Sequence, residues 1–323
     1  MLLQMIDCFK KALVIVVISL ICLIEVSEAG NKKTNIVVLT SDNLISTKRT
    51  LHGAKKVILQ KHPDVLFKQF HLEQFPENDL PLIDSVKQIH PRVILTIGSS
   101  ATKLAKENFK NIPIVFSAVK YPVLSGFVNS VLYPGRNITG ASLDIPNDIQ
   151  FKYLKKIIPH IKKIGVLYTR NTESLIPSAQ VIAQQLGLQL IAIKVNSDRE
   201  LPHALDSLAN SVQAIWSVAD PNLFKPKSTR YILLNTLRKR IPFMGFSRYV
   251  VESGALFALD FDYKAVGIQA GAIVDKILSG IKPEDIQVTT ADVIWFHYNE
   301  NTAKRINITI PKELAAVAKE VYR

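Results

Sequence analysis

Apolar and polar positions alternate along this chain in a repeating rhythm. Runs of strand length at residues 36–40, 93–97 and 114–116 are apolar at nearly every position, and a more polar strand is expected at 67–71. Between them lie stretches of helical period at about 47–60, 80–89 and 98–108. Strands that are apolar throughout are buried on both faces, and strand–helix alternation argues for a parallel sheet. A turn at Pro134-Gly135 and a strand start at residues 137–141 follow, and then the rhythm begins again. It predicts helices at 149–158, 177–186, 201–208 and 231–240, with strands at 163–168, 188–195, 214–218 and 242–245. Gly187 stands where a glycine closes a helix. A strand at 255–260, a long helix at 263–278, short strands at 288–290 and 293–297, and helices at 299–306 and 311–322 complete the chain.

The expected fold is therefore α/β, with two doubly wound parallel-sheet lobes joined by hinge strands. No low-complexity segment separates the halves, so the connections are hinges, with crossings expected near 137–142, 254–262 and 289–293. The expected division is a signal peptide at 1–29, one lobe from 30–140 plus 260–290, and a second from 141–259 plus 291–323.

Composition changes this picture little. A chain of 323 residues suits about two domains, and 48% hydrophobic with 21% charged residues supplies two cores. The first residues add more. Lys10 and Lys11 precede an apolar run at 12–24, and Ser27-Glu28-Ala29 is a small-x-small cleavage site, the pattern of a secretory signal. The run is short for a membrane span of about 20 residues. Ile21 before Cys22 is too large for a good lipid-attachment site. Both cysteines, Cys8 and Cys22, lie in this segment, so a mature chain would have neither disulfide nor thiol chemistry. Cleavage would remove two lysines and three carboxylates and raise the formal charge from +13 to +14. The basic residues are dispersed and no nucleic-acid motif accompanies them, so a solvated basic surface is expected and nucleic acid is not a predicted partner. The location expected is periplasmic.

Candidate binding residues lie where open α/β sheets place ligands, beyond the carboxyl ends of the strands. Ser41, Asp42 and Asn43 follow the first strand. Gly98, Ser99 and Ser100 form a strand-to-helix turn whose free N–H groups suit an anion, or whose serines simply cap the helix. Ser117, Lys120 and Tyr121 follow the fourth strand, either at a cleft lip or at the surface. Ser142 sits at the first predicted crossing. In the second half, Tyr168, Arg170 and Asn171 follow one strand and Asp220 another. Arg170 could grip a carboxylate through its planar fork. Asp220 could receive an ammonium group or serve as a turn residue before Pro221. The turn at 98–102 does not match Gly-x-Ser-x-Gly, and no histidine or aspartate is placed to activate it, so catalysis is not expected. The seven histidines show no metal spacing, and no nucleotide-binding fingerprint occurs; no metal or cofactor is expected.

Several passages resemble the solute-binding proteins of ABC transporters, in the group that includes tryptophan- and tyrosine-type proteins. These are Ile-Pro-Ile-Val-Phe at 112–116, Ala118-Val119, Pro122-Val123, Gly126 and Pro-Gly-x-Asn-Ile-Thr-Gly-x-Ser at 134–142. Ile-Gly-Val-Leu-Tyr at 164–168, Gly254-Ala255-Leu256, Asp262-Tyr263, Gly267 and Gln269-Ala270 are also similar, as are Ile-Leu-Ser-Gly at 277–280 with Pro283 and the segment from Asn299 to Pro311. The resemblance implies a type I periplasmic-binding fold. In that fold two lobes close on a small polar or amphipathic solute, amino-acid-like ones included, and present it to an inner-membrane ABC permease. It implies binding by the loops named above, and no enzyme activity. A ligand sensor docking on a membrane signalling protein is the alternative with the same fold. The chain departs from the family pattern at Tyr121, where an Asp is usual before the proline, at Asp220-Pro221-Asn222, and at residues 42–45.

Overall fold

A computed structural model describes residues 34–75 and 78–323. The predicted signal segment, 1–29, lies outside the described residues. The first sheet contains β1 (Asn35–Thr40), β2 (Leu66–His71), β3 (Val93–Ile97), β4 (Ile114–Val119) and β5 (Ile138–Ser142). All five are parallel, in the order β2-β1-β3-β4-β5. The intervening helices are α1 (Ile45–Lys61), α2 (Leu80–Ile89) and α3 (Ser99–Asn108). In β1, Ile36 and Val38 face one hydrophobic cluster while Val37 and Leu39 face another. This two-residue alternation between two cores explains the unbroken apolar run.

The second sheet follows α4 (Asn147–Ile157). It begins with β6 (Lys163–Tyr168), α5 (Ile176–Gln185), β7 (Gln189–Lys194), α6 (Leu201–Ala209), β8 (Ala214–Trp216), α7 (Pro226–Arg238), β9 (Phe243–Gly245), α8 (Arg248–Glu252) and β10 (Phe257–Phe261). The order β7-β6-β8-β9-β10 repeats the plan of the first sheet, and β11 (Ile294–Asn299) and β12 (Glu320–Tyr322) extend it beyond β10. Between β10 and β11 the chain runs through α9 (Tyr263–Leu278), which packs on α1 and the first sheet. It then returns to the second sheet in the opposite sense, so β10–β11 is an antiparallel pair in an otherwise parallel sheet. Two short helices, α10 (Glu300–Arg305) and α11 (Lys312–Ala316), precede β12.

The packing of α9 on α1 is close because small residues line it. A Cβ on Gly267 would collide with the carbonyl oxygen of Thr50, and one on Gly271 would lie 2.7 Å from that of Ala54. The crossings between the sheets are hydrogen-bonded to each other. Thr289 N–H donates to the Gly140 carbonyl at 3.0 Å, Ser142 N–H to that of Thr289 at 2.8 Å, and Asp262 N–H to that of Val293 at 3.2 Å.

Some expectations are corrected. The predicted helix at 311–322 stops at Ala316, and the segment turns to pair Glu320–Tyr322 with β11. Lys319 N–H, bonded to the Phe296 carbonyl at 2.8 Å, starts that pairing. The predicted strand at 288–290 is a single bridge between Ala141 and Thr289. After Tyr121 the chain passes through a run of turns, with Gly126 at φ +67°. The helix expected at 231–240 starts earlier, at Pro226, whose ring suits a first helical turn. Helix α8 was not foreseen, since five residues show no period.

Candidate functional site

Between the two sheets lies a cavity of about 320 Å³. Its floor is the crossing Leu143–Asn147 and its walls come from both lobes: Lys120 and Tyr121 from the loop after β4, and Trp216, Ser217, Phe246 and Leu259 from the second lobe. The volume is at the small end of ligand pockets. A larger concavity, about 640 Å³ and mostly apolar, runs between α7 and α8 on the outside of the second lobe.

The loop after β4 has an unusual backbone. The pairing of β4 with β5 slips between Ser117 and Val119, a bulge. Ala118 and Tyr121 have φ of +56° and +52°, the left-handed region that side chains other than glycine seldom occupy. Strain of this kind costs about 1–3 kcal/mol per residue and persists only where surrounding contacts impose it. Here the contact is Asp144. Both its carboxylate oxygens accept from Tyr121 N–H, at 3.0 and 3.1 Å. Asp144 N–H in turn donates to Ser142 Oγ at 2.9 Å, and the Ser142 hydroxyl donates to the Val119 carbonyl at 3.2 Å.

This conformation directs two side chains into the cavity. The Tyr121 ring crosses the cleft, and its hydroxyl oxygen accepts from Ala219 N–H of the second lobe at 3.2 Å. Burial raises the phenol to about 12, so it stays neutral and keeps its proton. Lys120 Nζ lies 5.4 Å from the centre of the Phe261 ring and 5.9 Å from that of Phe246. Burial lowers the Lys120 pKa, while the charges of Asp260 and Asp144 oppose the shift. Burial likewise pushes the Asp144 carboxyl up, against the pull of the Tyr121 N–H.

The other candidate residues lie elsewhere. Ser41 Oγ accepts from Ala101 N–H at 3.0 Å and so occupies the first turn of α3. Gly98, with φ +91°, can carry no side chain there, since a Cβ would stand 2.5 Å from Ser41 Oγ. Asp42 binds its own turn, accepting from Leu44 N–H at 3.0 Å and from the Thr47 hydroxyl at 2.6 Å. Asn43 is exposed. Ser99 and Ser100 face a separate shallow concavity with Lys103 and Lys106. Ser117 is fully buried, and its hydroxyl has no partner among the described residues. Tyr168 packs against the second lobe's core, and Arg170 and Asn171 are exposed.

Asp220 is engaged inside its own loop. One carboxylate oxygen accepts from Thr169 N–H at 3.0 Å, from the Thr169 hydroxyl at 2.8 Å and from the Thr172 hydroxyl at 2.6 Å. The other accepts from Asn222 N–H at 3.0 Å. Burial disfavours its charge, but these bonds outweigh it and hold the carboxyl below its ordinary range. The alternative of a turn residue describes it, and the side chain is 1% exposed.

Asp144, Gln150, Trp216, Phe246 and Phe261 were missed from the sequence. Trp216 Nε1 donates to Gln150 Oε1 at 2.8 Å, and Gln150 Nε2 donates to the Ile145 carbonyl at 2.7 Å. The available signal was position: Trp216 ends β8, beside β6, where the strand order reverses. Asp144 lies two residues past the crossing expected at 137–142.

A family model described as "ABC transporter substrate binding protein" matches residues 34–322. The chain belongs to that family. This ABC transporter substrate-binding protein is 28% identical over 242 residues to a tyrosine-binding protein of Clostridioides difficile, covering 73% of this chain and 70% of the relative. Among solved structures it resembles the ligand-free, open form of a Clostridium difficile substrate-binding protein with adhesive properties, with TM-score 0.72 and 22% identity over 90% of this chain and 99% of that one. It also resembles an ABC domain in complex with L-Trp from Streptococcus pneumonia, with TM-score 0.63 and 21% identity over 90% of this chain and all of that one. At these identities the structures establish the type I periplasmic-binding fold. The family is one of solute-binding proteins.

Proposed function

We propose that this substrate-binding protein captures a small polar or amphipathic solute between its lobes and delivers it to an ABC permease. The observation that carries the reading is the cavity itself. It lies between the lobes, above the hydrogen-bonded crossings, and Tyr121 of one lobe reaches Ala219 of the other beside it. A ligand touching both lobes favours the closed state by its differential affinity. The proposed closing units are residues 30–140 with 260–290, and 141–259 with 291–323. Exposed residues at the lips, Asn43, Arg170 and Asn171 among them, would join the site on closure. Export to the periplasm belongs to this reading and rests on the basic-then-apolar start of the chain.

The relatives named for tyrosine and for a tryptophan complex make amino acids the first solutes to test. A thermal-shift panel of amino acids, small carboxylates, amines, peptides and nucleosides should contain a stabilising solute. At a hundredfold excess over Kd, linkage predicts about 2.7 kcal/mol of added stability. A protein that no small molecule stabilises, but that a membrane signalling protein captures, would refute the solute-carrier reading in favour of the sensor.

A further inference from the structure

The cavity's polar groups differ in whether the protein already uses them. Trp216 Nε1 and the Gln150 amide bond each other and the Ile145 carbonyl. The Ser217 hydroxyl donates to the Met244 carbonyl at 2.7 Å, and the Ser178 hydroxyl to the Leu175 carbonyl at 3.0 Å. Both oxygens of Asp144 accept from Tyr121 N–H, and a carboxylate offers no donor. Asp260, behind Lys120, accepts from Phe261 N–H at 2.9 Å and Arg248 N–H at 3.4 Å. Four side-chain donors are left: the Asn147 amide and the Thr290 hydroxyl, both neutral, and Lys120 and Tyr121, of which Lys120 alone is charged. Among the described residues, Lys120 Nζ has no hydrogen-bond acceptor and no carboxylate within 4.0 Å. The Tyr121 hydroxyl oxygen accepts from Ala219, but its own proton goes to no acceptor among them. A lysine carries three N–H donors and no acceptor, so what it lacks is an anion or a lone pair.

On the reading of this cleft as the solute site, we infer that the solute is a small amphipathic monocarboxylate, anchored through its carboxylate by Lys120 Nζ and Tyr121 Oη. Its apolar body lies along Leu143, Leu175, Phe246, Leu259 and Phe261, which line the same cavity. An ammonium group on the solute is not required for binding. The charge balance limits the anion to a single negative charge. Lys120 is near the carboxylates of Asp144 and Asp260, whose charges act on it, so a dianion would meet two like charges. The free protein holds a partly desolvated ammonium with no direct counterion. A bound carboxylate supplies one in a low-dielectric site, where a charge-assisted bond is stronger than a neutral one.

Calorimetry and thermal shift on the purified protein test this with two matched sets: hexanoate, hexanamide and hexylamine, and benzoate, benzamide and benzylamine. The carboxylate of each set should bind at least tenfold more tightly than its amide, and the amine more weakly still. Lys120→Met should lose at least tenfold for the carboxylate while changing the amide little. Tyr121→Phe should lose a smaller factor, with the same selectivity. Carboxylate affinity should also fall as pH rises through the depressed Lys120 pKa, because only the ammonium form holds the anion. Lys120→Met removes a buried charge, so its melting temperature should match or exceed that of the parent; Lys120→Gln serves as a second neutral variant. Amide binding equal to carboxylate binding, or undiminished carboxylate binding by Lys120→Met, overturns the inference. Should none of the six bind while another solute from the wider panel does, the same variant decides. Unchanged affinity for that solute, tyrosine or tryptophan included, overturns the anchor and leaves the solute-binding reading standing. A tenfold loss of a carboxylate solute supports both. If no solute stabilises the protein, the reading and the inference fall together.

Discussion

Asp220 shows how residue type and spacing can point to a ligand when the residue serves its own loop. It follows β8 at the carboxyl end of the sheet, the expected place for a binding aspartate, yet four hydrogen bonds from Thr169, Thr172 and Asn222 occupy it. Asp220→Ala should therefore cost stability. Hydrogen bonds to charged groups contribute about 1.5–3 kcal/mol each and are not additive, so a loss of roughly 3 kcal/mol is expected in denaturant unfolding. The pH dependence has a defined sign. A carboxyl whose folded pKa is depressed stabilises fully above its unfolded value, about 3.9, and loses that contribution as pH falls through the folded value. The stability gap between the parent and Asp220→Asn should thus be widest near neutral pH and narrow below about pH 4. A gap independent of pH would mean that the charge on Asp220 contributes nothing. Lys120 and Tyr121 are the converse case. Charge and aromaticity nominated them, but only the backbone imposed by Asp144 turns both into the cavity.

At the scale of elements, most strands and helices were legible because their periods are clean. The helices at 80–89 and 263–278 and the strands at 93–97 and 163–168 have the boundaries that their apolar periods predict. The C-terminal segment was not legible, since Ala-rich residues 314–318 suit a helix and β12 pairs with residues 23 positions earlier in the chain. The junction of α1 with α9 is another non-local feature: Gly267 appears in sequence as a weak helix residue. In the fold it lets two helices approach until only hydrogen fits. Gly267→Ala should gain about 1 kcal/mol of helix propensity and lose more by collision with the Thr50 backbone, where overpacking costs about 1–3 kcal/mol. Net destabilisation is expected, larger for Gly267→Val, as a lower midpoint in chemical unfolding. A stabilised Gly267→Ala would show that the helices separate at little cost.

For the whole molecule, the main consequence is closure. The crossings near Ser142, Asp262 and Thr289 are hydrogen-bonded at Ser142–Thr289 and Asp262–Val293, so the proposed closure would pivot about one compact hinge and not about independent tethers. A solute held by Lys120 and Tyr121 on one side and by residues of the second lobe on the other should favour the compact form. Small-angle scattering should record a smaller radius of gyration at saturating solute. Tyr121→Phe removes the acceptor for Ala219 N–H, so the unliganded protein should then scatter as a more open particle. An unchanged unliganded profile would assign that bond no part in setting the resting angle.

The chain's periodicity by itself determined an α/β fold built twice on one plan, because strands buried on both faces need unbroken apolar runs and parallel pairing needs helices between them. Its motifs determined the family. Which side chains meet in the cleft was decided only by tertiary structure. Asp144, from the crossing after β5, imposes left-handed geometry on a loop 23 residues earlier, and that geometry selects Lys120 and Tyr121 from fourteen candidates. Contacts of this kind depend on the hinge bringing separate strands together, and local residue patterns do not encode them.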